Sequence, residues 1–305
     1  MATIINTGSY PKALWEGVKS WWDSAAAATP QYAELMFRKE NSTKSYEEYA
    51  QSIGLGLAVL KPEGTPITYD GMQQGFVTRG TNAAYGLGII TTHEELADNL
   101  YVKLTKGRTE KLRRAFAETK NINATNIYNR AFTAAYKGGD GVSLLNAAHP
   151  NFTAGTWQNK LVTDAALSQA ALEDMLILMM QAKDDRGYIE PLTADKLIIH
   201  PANYFTAKRI LGTALQTGSN NNDINPINNH NLVPGGCVSN PYLTASAPWF
   251  ITTNCQDGMI WQEREALQIW EDNDGDTRNF KVGAYERYTF LWANSRGLYG
   301  SDGVA

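Results

Sequence analysis

The sequence predicts an α+β fold, and three observations predict it. A long amphipathic helix covers residues 92–136. Two segments near the C-terminus, 266–271 and 279–292, alternate with the period of two that marks a half-buried strand. Helical and strand-like stretches fall in separate runs, with no βαβ alternation and no internal repeat.

Residues 1–37 begin polar and then give a short amphipathic helix from Pro11 to about Ala28, with Leu14, Val18, Trp21 and Trp22 on one face. Pro30 interrupts it, and a short segment, 32–37, follows. Trp15, Trp21 and Trp22 need cover, from their own domain or from another copy. The second is favoured, because the next region separates this arm from the main body.

Residues 38–91 are rich in Ser, Thr, Gly and Tyr and lack a helical period. Segments 55–60 and 67–69 read as short strands around a Pro-Glu-Gly turn at 62–64. Segments 75–79 and 85–90 read as further extended pieces. Too little apolar material is present for an independent core, so a projecting hairpin that lies on something else is expected.

The helix at 92–136 is the expected spine. Leu96, Leu100, Leu104, Leu112, Ala115, Phe116, Ile122, Ile127, Ala131 and Phe132 make its stripe. Thr92 with Glu95 forms a capping box, and Gly138-Gly139 supplies a stop. Such a helix would span roughly 60 Å. Gly107 and Asn121-Ile122-Asn123 are points where it could kink or divide.

Beyond it, Asp164 is expected to cap a helix over 164–183, with Leu167, Ala171, Met175, Leu178 and Met179 buried. A compact strand at 197–199, a helix at 202–211 and an Asn-rich loop at 217–231 follow. Segments 237–242 and 249–253 are strand candidates. The two period-two strands are joined by a hairpin turn at 272–277, and a loop-like tail closes the chain.

Composition narrows the function. The net charge of −4 gives no basic footprint for nucleic acid. Eight tryptophans and fifteen tyrosines fit either an aromatic core or large interfaces. Cys237 and Cys255 lack metal-type spacing; a reducing compartment fits, and a disulfide between them is the less favoured alternative. No signal-peptide pattern and no membrane-length apolar run is present, which points to assembly in the cytoplasm.

A search for chemistry returns little. His93, His149, His200 and His230 lie singly in caps and turns, without ligand spacing. Asp272, Asp274 and Asp276 lack the glycine position and distal Glu of a calcium loop. Tyr85-Gly-Leu-Gly88 lacks the third glycine and the Lys-Ser/Thr of a phosphate loop. Asp184-Asp185 beside Arg186 reads as a capped loop. No Ser or Cys sits in a nucleophile elbow. Lys and Arg on the spine are interleaved with Glu, as on a solvated or intersubunit salt-bridge face. No catalytic, cofactor or metal residue is assigned, and the chain reads as a building block rather than an enzyme.

Several segments carry a family resemblance. They are Lys61-Pro-Glu-Gly64 with Ile67-Thr-Tyr-Asp70, Tyr85-Gly-Leu-Gly-Ile89 with the helix start at 91–101, and His149-Pro150. Asn240-Pro-Tyr-Leu243 before Trp249-Phe250, Trp261-Gln-Glu-Arg-Glu265, Glu286-Arg287 and the closing Arg296-Gly-Leu-Tyr-Gly-Ser301 belong with them. In this order they resemble the major capsid proteins of tailed bacteriophages, most nearly the Mu-type head subunit, with an HK97-like fold. The resemblance implies an N-terminal arm (1–37), an extended β-hairpin loop (38–91) and a peripheral domain with the spine helix (92–163 and 259–293). It also implies an axial domain (164–258) to which the tail (294–305) returns.

The function implied is self-assembly into the icosahedral head shell around phage double-stranded DNA. Hexamers and pentamers of one chain, a separate scaffolding protein, a portal and a decoration protein are the implied partners, in a virion built in the host cytoplasm. DNA would be enclosed without sequence-specific binding. An encapsulin-like bacterial compartment shell is the alternative. The candidate intersubunit contacts are Trp15, Trp21, Trp22, Lys61, Glu63, Tyr69, Arg79, Asn221 and Asn222. Lys61 lies in the extended loop, but no motif for a Lys–Asn cross-link accompanies it.

Overall fold

In a computed structural model of the chain, residues 11–26, 30–92, 94, 101–153, 155–215, 223–277 and 279–303 are described, the side chains of 11–17, 26 and 101–105 excepted. The spine helix runs over Tyr101–Asn129 without a break, about 43 Å at the rise of an α-helix. The expected capping box at 92–95, with Leu96 and Leu100, lies outside the described residues.

Neither expected weak point divides the helix. A Cβ added at Gly107 would meet nothing. Asn121 is buried, and its side chain is fully employed: Nδ2 donates to Pro30 O (2.8 Å) and Oδ1 accepts from Ala33 N (3.4 Å). The helix stops earlier than the apolar pattern suggested. After Asn129 the backbone closes tighter turns, and the carbonyl of Ala131 accepts the amide of Leu145 from the returning chain (2.9 Å).

Two four-stranded sheets flank the spine. The first has the order β1 (Arg38–Asn41), β10 (Met259–Asn273), β11 (Phe280–Trp292), β4 (Ala83–Thr91). β10 and β11 form the expected long hairpin, in register from Met259↔Trp292 to Asn273↔Phe280. β10 starts seven residues before the alternating stretch, because Met259, Ile260, Trp261 and Gln262 are all buried and show no period of two. β1 was invisible in the sequence: Arg-Lys-Glu-Asn pairs in parallel with β10 and covers its charge with the Lys39–Glu263 ion pair.

The second sheet has the order β12 (Leu298–Ser301), β9 (Trp249–Thr253), β7 (Ala194–Ile199), β8 (Cys237–Ser239). The tail is therefore a buried strand and not the expected loop. Helix Gln169–Met180 packs Leu172, Met175 and Met179 against this sheet with helix Tyr204–Gly212. Ser168, not Asp164, caps the first of these helices, its side chain accepting from Ala171 N (3.2 Å). Asp164 instead binds Lys160 Nζ (2.7 Å) and Asp302 N (3.1 Å).

One core joins the two sheets through the spine. Ala124 and Tyr128 of the spine, with Ala131 just past its end, meet Trp261 and Tyr288 of the first sheet and Ile198, Phe250 and Leu298 of the second. The expected stripe is only partly right: Leu112, Phe116 and Ala131 are buried, whereas Ile122 is 45% exposed. Its place inward is taken by Lys120, Asn121 and Thr125.

Each of these polar groups has a partner. Lys120 Nζ lies 2.7 Å from Glu286 Oε2 on β11, with Trp261 and Tyr288 rings beside it. Burial pushes the Glu286 carboxyl up, while Lys120 pulls it down. Thr125 Oγ1 accepts from Asn240 Nδ2 (2.8 Å), and Asn240 N donates to Ile199 O (2.9 Å).

The buried pair yields a direct test. Lys120→Met alone leaves Glu286 without its cation and should cost about 3–5 kcal/mol of subunit stability. The double variant Lys120→Met/Glu286→Leu should recover most of that loss. Urea unfolding of the unassembled chain, followed by circular dichroism, measures both.

Candidate assembly surfaces

A hairpin, β2 (Tyr46–Ile53) with β3 (Gln73–Thr81), stands apart from both sheets. The expected strands at 55–60 and 67–69 are irregular, and pairing lies instead in the more polar flanks. The expected turn is present: Thr65 N donates to Pro62 O (3.3 Å), with Gly64 at φ +80°. β1 and β4, which flank the hairpin, are members of the first sheet.

The root of the hairpin is tightly fixed. Gln51 Nε2 donates to Ala293 O (3.2 Å), and Tyr49 packs beside Ile260, Leu291 and Ala293. A Cβ at Gly139, in the turn after the spine, would lie 2.6 Å from Thr78 Oγ1 and 2.7 Å from Val77 O. Only glycine permits that approach of backbone to β3.

The far end is different. Leu55, Leu57, Val59, Leu60, Ile67, Tyr69 and Met72 are all more than half exposed, Tyr69 to 91%. Single exposed apolar residues are ordinary, but a continuous strip marks an interaction surface. Covering one such side chain is worth about 1.5–3 kcal/mol. Lys61 and Glu63 stand exposed at the turn. Arg79 sits nearer the root, its guanidinium 3.6 Å from the centre of the Tyr46 ring. Tyr69 is an expected contact; the aliphatic residues were expected in short strands of the projecting hairpin, and they project without regular pairing.

The arm corrects an expectation. Helix Pro11–Ala26 lies on the spine of its own chain, with Val18 and Trp22 buried against Leu112, Phe116, Phe280 and Val282. The Arg113 guanidinium stacks on Trp22, 4.9 Å from the ring centre. Trp22 is thus covered within the subunit, while Trp21 is half-buried at the edge. The Trp15 side chain, Asn221 and Asn222 lie outside what is described.

His149 belongs to a structural junction, on the short antiparallel pair β5 (His149–Pro150) and β6 (Thr156–Trp157). Its Nδ1 lies 2.6 Å from Asp140 Oδ2 and its Nε2 3.0 Å from Asn159 Oδ1. Asn159 Nδ2 donates to the carbonyls of Leu144 (2.7 Å), Ser295 (3.0 Å) and Leu298 (3.1 Å). Trp157 stacks on His149 (4.5 Å) and also carries the Arg296 guanidinium at 4.4 Å. The arrangement locks the segment after the spine to the C-terminal strand.

Catalytic alternatives gain nothing from the geometry. Among the described residues, no group of His, Cys, Asp and Glu could hold a metal, and no helix is long and apolar enough to cross a membrane. Asp274 binds Lys281 Nζ (2.9 Å) and Asp276 N (3.1 Å), contacts that hold its carboxyl at about 2. That is an ion-paired turn. A cleft of about 320 Å³ is lined by Arg38, Lys196, Cys255 and Asp257, among others. Arg38 is paired to Glu40 and Asp257, and burial pushes the Cys255 thiol up to about 12, far from a thiolate nucleophile. Both cysteines are free thiols.

Residues 78–301 match the phage capsid protein family. The match spans well over half of the chain, and the chain belongs to that family: it is a shell-forming capsid subunit. No curated protein matches the sequence. Among solved structures, the chain is similar to the virus-like particle of Pyrococcus furiosus, at 9% identity and a TM-score of 0.55, covering 94% of this chain and 99% of that one. It is similar to the capsid of the cyanophage P-SCSP1u, at 10% identity and a TM-score of 0.56, covering 89% and 88%. It is also similar to the holo-SrpI encapsulin of Synechococcus elongatus, at 10% identity and a TM-score of 0.52, covering 90% and 88%. These likenesses establish the HK97-like fold.

Asn159 is the member of the junction whose loss is most exposed to measurement. Asn159→Ala strands three buried carbonyls and the His149 ring, and should lower subunit stability by about 3 kcal/mol or more. Thermal unfolding of the unassembled chain reads the loss, with the surface variant Lys61→Ala expected to unfold as wild type.

Proposed function

We propose that the chain is the major head subunit of a tailed phage, whose copies form the hexamers and pentamers of an icosahedral shell around double-stranded DNA. The observation that carries this reading is the exposed apolar strip at 55–72, on a hairpin its own body leaves uncovered. A family member with such a limb finds the missing cover on a second copy. Each interface of that kind is modest, and a closed shell sums many of them.

The proposed division follows the two sheets except at the ends of 38–91, where β1 and β4 join the first sheet. Residues 92–163 and 259–293 make the peripheral body, with 1–37 as arm and 38–91 as extended loop. Residues 164–258 make the axial domain, and the tail 294–305 returns to it. β12 pairing with β9 supports that return. Lys61, Glu63, Tyr69 and Arg79, with Trp15 and Trp21, are the proposed contacts. From the sequence resemblance alone, Asn221 and Asn222 are also proposed as contacts, near local symmetry axes. The likeness to Mu-type head subunits rests on the sequence segments alone.

The role is structural and not catalytic, in a virion assembled in the bacterial host cytoplasm with separate scaffolding, portal and decoration proteins. A mildly acidic subunit suits an inner wall that must not clamp packaged DNA. Electron microscopy of the expressed chain, with scaffold where required, should find shells, tubes or sheets. Particles carrying a protein cargo and no DNA would favour the encapsulin-like compartment; a monodisperse monomer at high concentration would sink both.

Two changes separate the limbs. Deleting residues 1–28 should block closed shells. The triple change Leu57→Ser, Leu60→Ser and Tyr69→Ser should abolish ordered particles while leaving circular dichroism of the subunit unchanged. Normal shells from either variant would remove that limb from the assembly role.

A further inference from the structure

The apolar strip leaves the paired hairpin at Ile53 and returns to it at Gln73. Just beyond those ends, both strands of the loop are gripped by one distant turn, 184–188. Arg186 Nη1 donates to Asp70 Oδ2 (2.7 Å) and Nη2 to Gly71 O (3.0 Å). Asp70 Oδ2 also accepts from Gly56 N (2.7 Å), and Oδ1 from Gly71 N (2.8 Å). Leu57 N donates to the Tyr188 hydroxyl (3.3 Å). One carboxylate and one guanidinium therefore join the outgoing strand, the returning strand and the body.

The gripping turn is itself preset. Asp184 Oδ1 accepts from Arg186 N (2.9 Å) and Tyr188 N (2.8 Å), and Asp184 N donates to Tyr188 O (2.8 Å). Asp185, next in the chain, is paired with the buried Arg296. The grip is thus continuous with the rigid junction around Trp157. On the loop side, a Cβ at Gly56 would lie 3.0 Å from Asp70 Oδ2 and 3.2 Å from Arg186 Nη1. Both distances are shorter than ordinary contact, so any side chain there presses on the pair. The amides of Gly56 and Gly71, then Arg186, hold the Asp70 carboxyl below its usual range, so it stays charged at neutral pH.

We propose that Asp70, Gly56, Arg186 and Tyr188 form an intrasubunit latch that aims the strip at 57–69 before a second copy arrives. This rests on the assembly reading above and adds its regulation. A limb without internal secondary structure would otherwise sample many directions, and docking would have to order it. The latch orders its root in advance and leaves only the outer segment to adapt.

Two variants approach the latch from opposite sides. Arg186→Ala removes the fork, and Gly56→Ala presses a methyl group against the pair. Hydrogen exchange of the dilute, unassembled full chain, read by mass spectrometry, is the first measurement. Amides of 55–58 and 70–72 should exchange roughly tenfold faster in both variants. Those of 46–53 and 73–81 should match wild type, which shows that the hairpin remains folded. Unchanged protection at 55–58 and 70–72 in both variants overturns the latch, whether or not the wild-type chain assembles. Assembly kinetics by light scattering, with micrographs of the products, is the second measurement. Slower assembly or misdirected tubes and sheets from both variants supports the aiming role; wild-type shells at wild-type rate, despite faster exchange, overturns it. Absence of particles from wild type as well counts against the shell reading, and the exchange result still decides the latch.

Discussion

The structure depends on one constraint: a helix that crosses the whole body carries polar side chains where its core face should be apolar. Lys120, Asn121 and Thr125 point inward. A buried polar group without a partner costs about 1–3 kcal/mol, and a buried charge more. The spine can therefore settle in only one rotation and one depth. Lys120 must find Glu286 on the first sheet, Thr125 must find Asn240 beside the second, and Asn121 must find the chain that comes down from the arm. An apolar stripe would have held the helix as strongly while tolerating slippage along its axis. The polar one fixes the position of both sheets relative to the spine, and so the shape of the subunit.

That rigidity has a counterpart in the limbs. The junction of His149, Trp157, Asn159 and Arg296 extends the fixed body to the turn at 184–188. Beyond it the hairpin loop has no regular pairing and exposes its apolar residues. The subunit thus pairs a body cross-linked by buried polar contacts with a loop that is anchored only at its base. A shell of one chain in unequal surroundings asks for that combination: constant angles inside each copy and adaptable contacts between copies.

Much of this was legible, and the failures have physical causes. The hairpin at 266–292 and the strands at 197–199 and 249–253 were read correctly, because period two and continuous apolar runs report burial directly. The stretch 55–60 was expected as a short strand of a projecting limb. It projects with its Leu and Val exposed, but the regular pairing lies at 46–53, where Tyr49 and Gln51 turn half-buried toward the body. The tail looked like a loop because Gly300 and Ser301 seem unsuited to a strand. It is one because small residues let it approach Phe250 and Leu145 closely. Of the assembly surface, the sequence exposed Tyr69 and the turn at 61–64. The grip on the loop was hidden, since Asp70 and Arg186 are 116 positions apart and nothing in either neighbourhood names the other.

The low identity to similar shells, near one residue in ten, also has a physical reading. A contact between copies of one chain changes on every copy at once. A new side chain on the loop appears at every loop, and a compensating change on the body appears at every body. Such interfaces can turn over their residues while the lengths and angles of the body stay fixed. What must persist is the geometry that presents the limbs: the spine, the two sheets and the links that hold them at one rotation. On that account, residues such as Asn159 and Asn240 are tied to the fold by the buried polar groups they satisfy, whereas Leu60 and Tyr69 stand exposed on their own chain and, in the assembly we propose, answer only to the neighbouring copy.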